Sequence, residues 1–146
     1  MDRKEFIKVC GGTCLGLVGI ALLNQSCTGT HYVQGSSTEN KLSVLKTEFK
    51  IIKKNKPDFR KYIVVKNDKL DFPIIVYRKN ENSYEAMLMK CTHQGIELNV
   101  NGDILSCSAH GSEFSNKGEV IQGPADQKLK TFPVSVDEKN IYIQIM

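Results

Sequence analysis

Beyond residue 40 no stretch keeps a helical hydrophobic period for three turns, which excludes helical bundles and alternating βα folds. The chain also lacks a glycine-rich nucleotide fingerprint, a nucleophile set beside a base, and a mononuclear iron triad. Catalysis by this chain alone is therefore not expected. Cysteine is scarce where a disulfide scaffold would need it. Of the five, Cys10, Cys14 and Cys27 fall in the first 27 residues, leaving Cys91 and Cys107 for the body. A stapled fold is not expected, although one Cys91 to Cys107 bridge stays open. The net charge is +4, to which the first 27 residues contribute +1, too little to argue for nucleic acid. Ten of the twenty basic residues lie between Lys41 and Lys69, including the run Lys53-Lys54-Asn55-Lys56. Such a run is either a solvated face or a docking patch for an acidic partner.

The length of 146 residues suits one domain with a short extension. Residues 1–27 carry Arg3, Lys4 and Lys8, then an apolar run from Val9 to Leu23, then Asn24-Gln25-Ser26-Cys27. This is the layout of an export signal, with an apolar core short for a bilayer span. Its start resembles a twin-arginine signal with lysine in place of the second arginine, a route that carries folded, cofactor-loaded proteins. Cys27 resembles a lipoprotein cysteine in a loose lipobox, so lipidation is expected there; cleavage nearby, or retention as an anchor, are the alternatives. Residues 28–40, rich in Gly, Ser and Thr, read as a flexible tether, and 41–146 as the domain. His31, in the tether, reads as a solvated bystander.

The domain reads as all-β. Its expected strands are Glu48–Ile52, Lys61–Lys66, Ile74–Arg78, Tyr84–Met89, Glu97–Val100, Ile104–Ser106, Thr131–Val136 and Ile141–Ile145, separated by turn signals such as Asn101-Gly102. Alternation places Phe132, Val134, Val136, Ile141, Ile143 and Ile145 in the core.

Two clusters carry the chemistry. Cys91-Thr92-His93-Gln94-Gly95 and Cys107-Ser108-Ala109-His110-Gly111-Ser112 supply two thiolates and two imidazoles from separate loops. Zinc could take this set, but structural zinc pairs are normally spaced by two or more residues, and one residue separates Cys91 from His93. The motifs, with Gly123-Pro124-Ala125 behind them, resemble the Rieske iron–sulfur family over Lys90 to Ala125. That resemblance implies an antiparallel β-sandwich with a small cluster-binding subdomain and one [2Fe–2S] cluster. It further implies that Cys91 and Cys107 bind the inner iron, and His93 and His110 the outer one. Gly95 and Gly111 would let backbone amides approach sulfide, and the Pro124 loop would cover the cluster.

Within that family the resemblance points two ways. Cysteines that brace the cluster in quinol-oxidising complexes are replaced by Ile96 and Ala109, as in oxygenase ferredoxins. Ser112 resembles the serine that donates to a bridging sulfide in the high-potential class, whereas Phe114 replaces the tyrosine that adds a second donor. A potential in the middle of the range of roughly −150 to +300 mV is expected. Gln94 stands where a leucine packs at the quinol-docking surface. The expected role is a one-electron carrier, exported and held at the membrane or its periplasmic face. Its partners would be cytochrome b or c subunits, possible direct contact with quinol included, or a molybdenum oxidoreductase large subunit, as in arsenite-oxidase-like assemblies. An oxygenase or nitrite-reductase-type ferredoxin is the alternative, and a zinc-stabilised binding module the distant one.

Overall fold

The computed structural model describes residues 29–146. The expectations about the export signal and about lipidation at Cys27 fall outside these residues. In chain order the strands are β1 (Tyr32–Gln34), β2 (Ser36–Thr38), β3 (Lys41–Leu45), β4 (Lys50–Lys53), β5 (Lys56–Phe59), β6 (Tyr62–Lys66), β7 (Ile74–Arg78) and β8 (Tyr84–Leu88). They continue with β9 (Asn99–Asn101), β10 (Ile104–Ser106), β11 (Glu113–Ser115), β12 (Val120–Gln122), β13 (Thr131–Phe132), β14 (Val134–Val136) and β15 (Asn140–Gln144). Among the described residues the only helical element is a 3-10 turn at Lys46–Phe49.

A five-stranded sheet, β1-β6-β7-β8-β13, forms the middle layer. Its inner strands are unbroken apolar runs, Ile63-Val64-Val65 and Ile74-Ile75-Val76-Tyr77, all buried. Runs of this kind mark strands covered on both faces, because alternate side chains must each find an apolar partner. Ile63, Val65, Ile74, Val76, Tyr84 and Ala86 face a first core, which the sheet β14-β15-β3-β2 closes with Leu42, Val44, Ile141 and Ile143. Val64, Ile75, Tyr77 and Met87 face a second core, shared with Leu105, Phe114, Cys91 and Cys107 of the region that holds β12-β11-β10-β9. Cys91 and Cys107 therefore rest on the back of the middle sheet. Tyr77 ties the layers together by donating its hydroxyl to the Gly102 carbonyl at 3.0 Å. Burial pushes that hydroxyl's pKa up, so it stays a donor.

Several elements differ from the sequence expectation, each for a local reason. The segment read as a tether carries β1, which pairs in parallel with β6, and β2, which pairs with β3. Thus the sandwich is antiparallel except at β1. His31 is a half-buried partner of Glu48 at 2.9 Å rather than a solvated bystander. The strand expected at Glu48–Ile52 begins as the 3-10 turn and continues as β4, paired only with β5. Pro57 hid β5, since proline is tolerated in a strand only where no ladder donor is needed. Pro133 divides Thr131–Val136 into β13 and β14, which belong to different sheets. Phe132, Ile141 and Ile143 are buried as expected, while Val134, Val136 and Ile145 pack against the first core half-buried.

The β14–β15 hairpin is closed by Asp137. Its Oδ1 accepts from the Lys139 and Asn140 backbone N–H groups at 2.8 and 2.6 Å, and its Oδ2 from the Tyr142 hydroxyl at 2.7 Å. These donors, Tyr142 foremost, hold the carboxyl well below the usual carboxylate range. A depressed folded pKa contributes stability above the unfolded value of about 4, and that contribution is lost as pH falls toward the folded value. Asp137→Ala is therefore expected to lower the thermal midpoint at pH 7 and to lower it less at pH 3. Equal losses at the two pH values would contradict the charged cap.

Candidate metal centre

Two loops of different strands meet at one end of the second core. The first follows β8 and the second follows β10, and both are closed by the same pair of backbone bonds. Cys91 N–H donates to the Ile96 carbonyl and Gly95 N–H to the Cys91 carbonyl, each at 2.8 Å. Cys107 N–H donates to the Ser112 carbonyl at 2.8 Å and Gly111 N–H to the Cys107 carbonyl at 3.0 Å. In each loop the glycine stands four residues after the cysteine and has a left-handed backbone, with φ +69° at Gly95 and +77° at Gly111. A side chain at Gly111 would find only Gln122 Nε2, at 3.8 Å. Backbone conformation, more than crowding by protein atoms, is thus what calls for glycine here.

The four candidate ligands divide as two thiols and two imidazoles. Cys91 and Cys107 are 1% and 3% exposed and are not disulfide-bonded. Burial opposes ionisation of Cys107. The N–H groups of Ala109 and His110 and the Cys91 thiol, all turned to its sulfur, outweigh burial and bring the thiol below its ordinary pKa. His93 and His110 are exposed, edge to face, with ring centroids 5.1 Å apart. Among the described residues no three Cys, His, Asp or Glu side chains gather where they could hold one metal ion. A two-and-two division suits two irons joined by sulfide better than one tetrahedral zinc.

A third segment closes over both loops. Thr92 donates its hydroxyl to the Gln127 carbonyl at 2.7 Å, Gln122 donates Nε2 to the Gly111 carbonyl at 2.9 Å, and the Ala125 N–H donates to Ser112 Oγ at 3.0 Å. Residues 122–127, with Gly123-Pro124 at their centre, are held to each ligand loop by these bonds. Ser112 is completely buried, and its own hydroxyl proton has no protein acceptor among the described residues. An unused buried donor is unfavourable unless something accepts it, and a bridging sulfide would. The donor set and this free proton fit an iron–sulfur cluster. Phe114, fully buried, packs in the second core with both cysteines and offers no hydroxyl. The roles of Thr92 and Gln122 were not legible in the sequence, because each partner lies in a loop whose position only the fold determines.

A sequence model of the Rieske [2Fe-2S] domain matches residues 41–133. The chain belongs to the Rieske family. Its cofactor is one [2Fe–2S] cluster, and its function is electron transfer. Similar curated proteins include the cytochrome b6-f complex iron-sulfur subunit of Synechococcus sp. (strain JA-2-3B'a(2-13)), 38% identical over 53 residues, covering 35% of this chain and 31% of that protein. The corresponding subunit of Chlorobaculum tepidum is 26% identical over 73 residues, covering 49% of this chain and 40% of its own. This chain thus matches well under half the length of those relatives. The crystal structure of the cyanobacterial plasma membrane Rieske protein from Synechocystis PCC 6803 superposes with TM-score 0.50 at 29% identity, covering 57% of this chain and 86% of that one.

Because Gly111 is required for its backbone conformation, Gly111→Ala is expected to lower the unfolding free energy by about 1–2 kcal/mol. Gly111→Asn, which tolerates the left-handed region, should lose less. Urea unfolding of the loaded protein measures both, and an alanine variant as stable as the parent would refute the assignment.

Proposed function

We propose that this Rieske domain is the electron relay of a membrane-associated quinol-oxidising oxidoreductase, with Cys91 and Cys107 on the inner iron and His93 and His110 on the outer. The observation that carries it is Ser112. A buried hydroxyl, oriented by the Ala125 N–H and with its proton free, withdraws electron density from an acceptor sulfide and raises the reduction potential, as accepting electrons from quinol requires. When bound, the cluster supplies a one-electron couple. The chain's own contribution is to bury the thiolates, present the imidazole edges to a partner, and keep water off the sulfides with the 122–127 segment. Exposed Ile96, at the end of the first loop, and Ile121, in β12 just before the covering segment, add apolar surface that suits docking against a protein or a quinol.

The surroundings of this relay are read from the sequence and from the relatives. Export on residues 1–27, attachment through Cys27 or a retained anchor, and cytochrome b or c partners agree with relatives that are cytochrome b6-f subunits and with a plasma membrane Rieske protein. A molybdenum large subunit would use the same exposed histidine edges. The ferredoxin reading has its own support: Ile96 and Ala109 occupy the positions of the bracing cysteines, so neither ligand loop is cross-linked.

Ser112→Ala is expected to keep the cluster and lower its midpoint by roughly 65–130 mV, the equivalent of a charge-assisted hydrogen bond of about 1.5–3 kcal/mol. An unchanged midpoint would remove the basis of the proposal. Solubilising native membranes gently and adding quinol separates the two roles. The proposal expects cytochrome haem to co-purify and the cluster to be reduced by quinol; a cluster that quinol leaves oxidised and a nicotinamide-linked reductase reduces would make the chain a ferredoxin.

A further inference from the structure

The electron-transfer reading leaves the β4–β5 ribbon without a use. Its strands pair only with each other, and it carries Lys50, Lys53, Lys54 and Lys56 against one carboxylate, Asp58. All four lysines are exposed, and among them Ile52 is 82% exposed. At the turn, Lys54 and Asn55 both have a left-handed backbone, with φ +50° and +58°. Asparagine is favoured in such turns and lysine is not, yet this arrangement sets an ammonium at the outermost point of the ribbon. The base is held firmly. Arg60 Nη1 donates to the carbonyls of Lys50 at 2.8 Å and Glu48 at 3.3 Å, and the Arg78 guanidinium lies 4.1 Å from the centre of the Phe59 ring. The ribbon is a braced projection that presents an isoleucine between lysines.

A second observation says what it faces. Gly29 and Thr30, where the described chain begins, line a groove of about 700 Å³ with Ile51, Ile52 and Phe59. The segment 1–28, with its apolar run from Val9 to Leu23, therefore joins the domain at the flank of the ribbon. Only Thr28 separates Gly29 from Cys27, a reach of at most about 7 Å. A chain held at a membrane through this segment brings the ribbon to the lipid first. The other wall of the groove is the Asn101-Gly102 turn, at the opposite end of β10 from Cys107.

The geometry points to the β4–β5 ribbon as a docking surface for an anionic phospholipid bilayer, with Ile52 entering the headgroup boundary and the lysines pairing with lipid phosphates. This rests on the reading that residues 1–28 attach the chain to a membrane. The anchor sets where the chain meets the bilayer, and a basic patch beside it adds attraction to an anionic surface. The attraction is electrostatic at an exposed site, so salt screens it.

The mature, cluster-loaded chain isolated from its cells would be mixed with vesicles of phosphatidylcholine alone or with phosphatidylglycerol added, and its lysines acylated. Flotation with neutral vesicles reads the anchor by itself, and failure to float would overturn the membrane attachment. Acylation of Lys50, Lys53, Lys54 and Lys56 reads the ribbon. On anionic vesicles it should fall several-fold, recover in high salt, and leave Lys117 and Lys128 unchanged. The exposed substitutions Lys53→Gln, Lys54→Gln and Lys56→Gln together should abolish the salt-sensitive protection of Lys50. Ribbon lysines equally reactive on neutral and anionic vesicles would overturn the docking, even with the chain bound, and would leave an acidic protein as the ribbon's partner.

Discussion

Two sulfurs must be buried against apolar side chains while two imidazoles, from the same short loops, remain in solvent 5.1 Å apart. The rest of the structure serves that constraint. A loop cannot supply its own dry floor, since it has too few side chains and too many backbone polar groups. Here the floor is the middle sheet, whose Val64, Ile75 and Met87 point to the cluster side while their strand neighbours build a separate core beneath. The rigidity of the site thus comes from a sheet buried on both faces. Without a disulfide between the ligand loops, the cross-links are the bonds from Thr92, Gln122 and Ser112 to the 122–127 segment.

Ser112 joins structure to electronics. Its oxygen fixes the covering segment through the Ala125 N–H, and in the proposed role its proton is left for a sulfide. A residue that closes the loop and, as proposed, donates to the acceptor would couple solvent exclusion to potential. Phe114 keeps the packing of its core position and offers no second donor.

Much of this was legible in the residues. The β-branched runs at Ile63–Val65 and Ile74–Tyr77 mark strands, and their lack of alternation is explained by burial on both faces. The candidate ligand motifs are local in sequence, so their residue types and spacing could be read directly. What was not legible depends on distant pairing. The parallel match of Tyr32–Gln34 with β6 gives no local signal in a segment rich in glycine and serine, and neither does the pairing of His31 with Glu48. β11 and β12 are three residues each, too short to show a period, and Pro57 and Pro133 disguised β5 and the break before β14. Thr92 and Gln122 are ordinary polar residues until the fold brings their carbonyl partners within reach.

In the proposed relay an exposed histidine pair and a buried cysteine pair hold one two-iron cluster. This arrangement is tested most directly by a redox titration of the purified protein, followed by electron paramagnetic resonance at a series of pH values. The expected result is a one-electron signal whose midpoint falls as pH rises, approaching about 59 mV per unit for each proton coupled to the electron. A midpoint indifferent to pH across that range, or a chain that binds zinc and gives no redox signal, would contradict it.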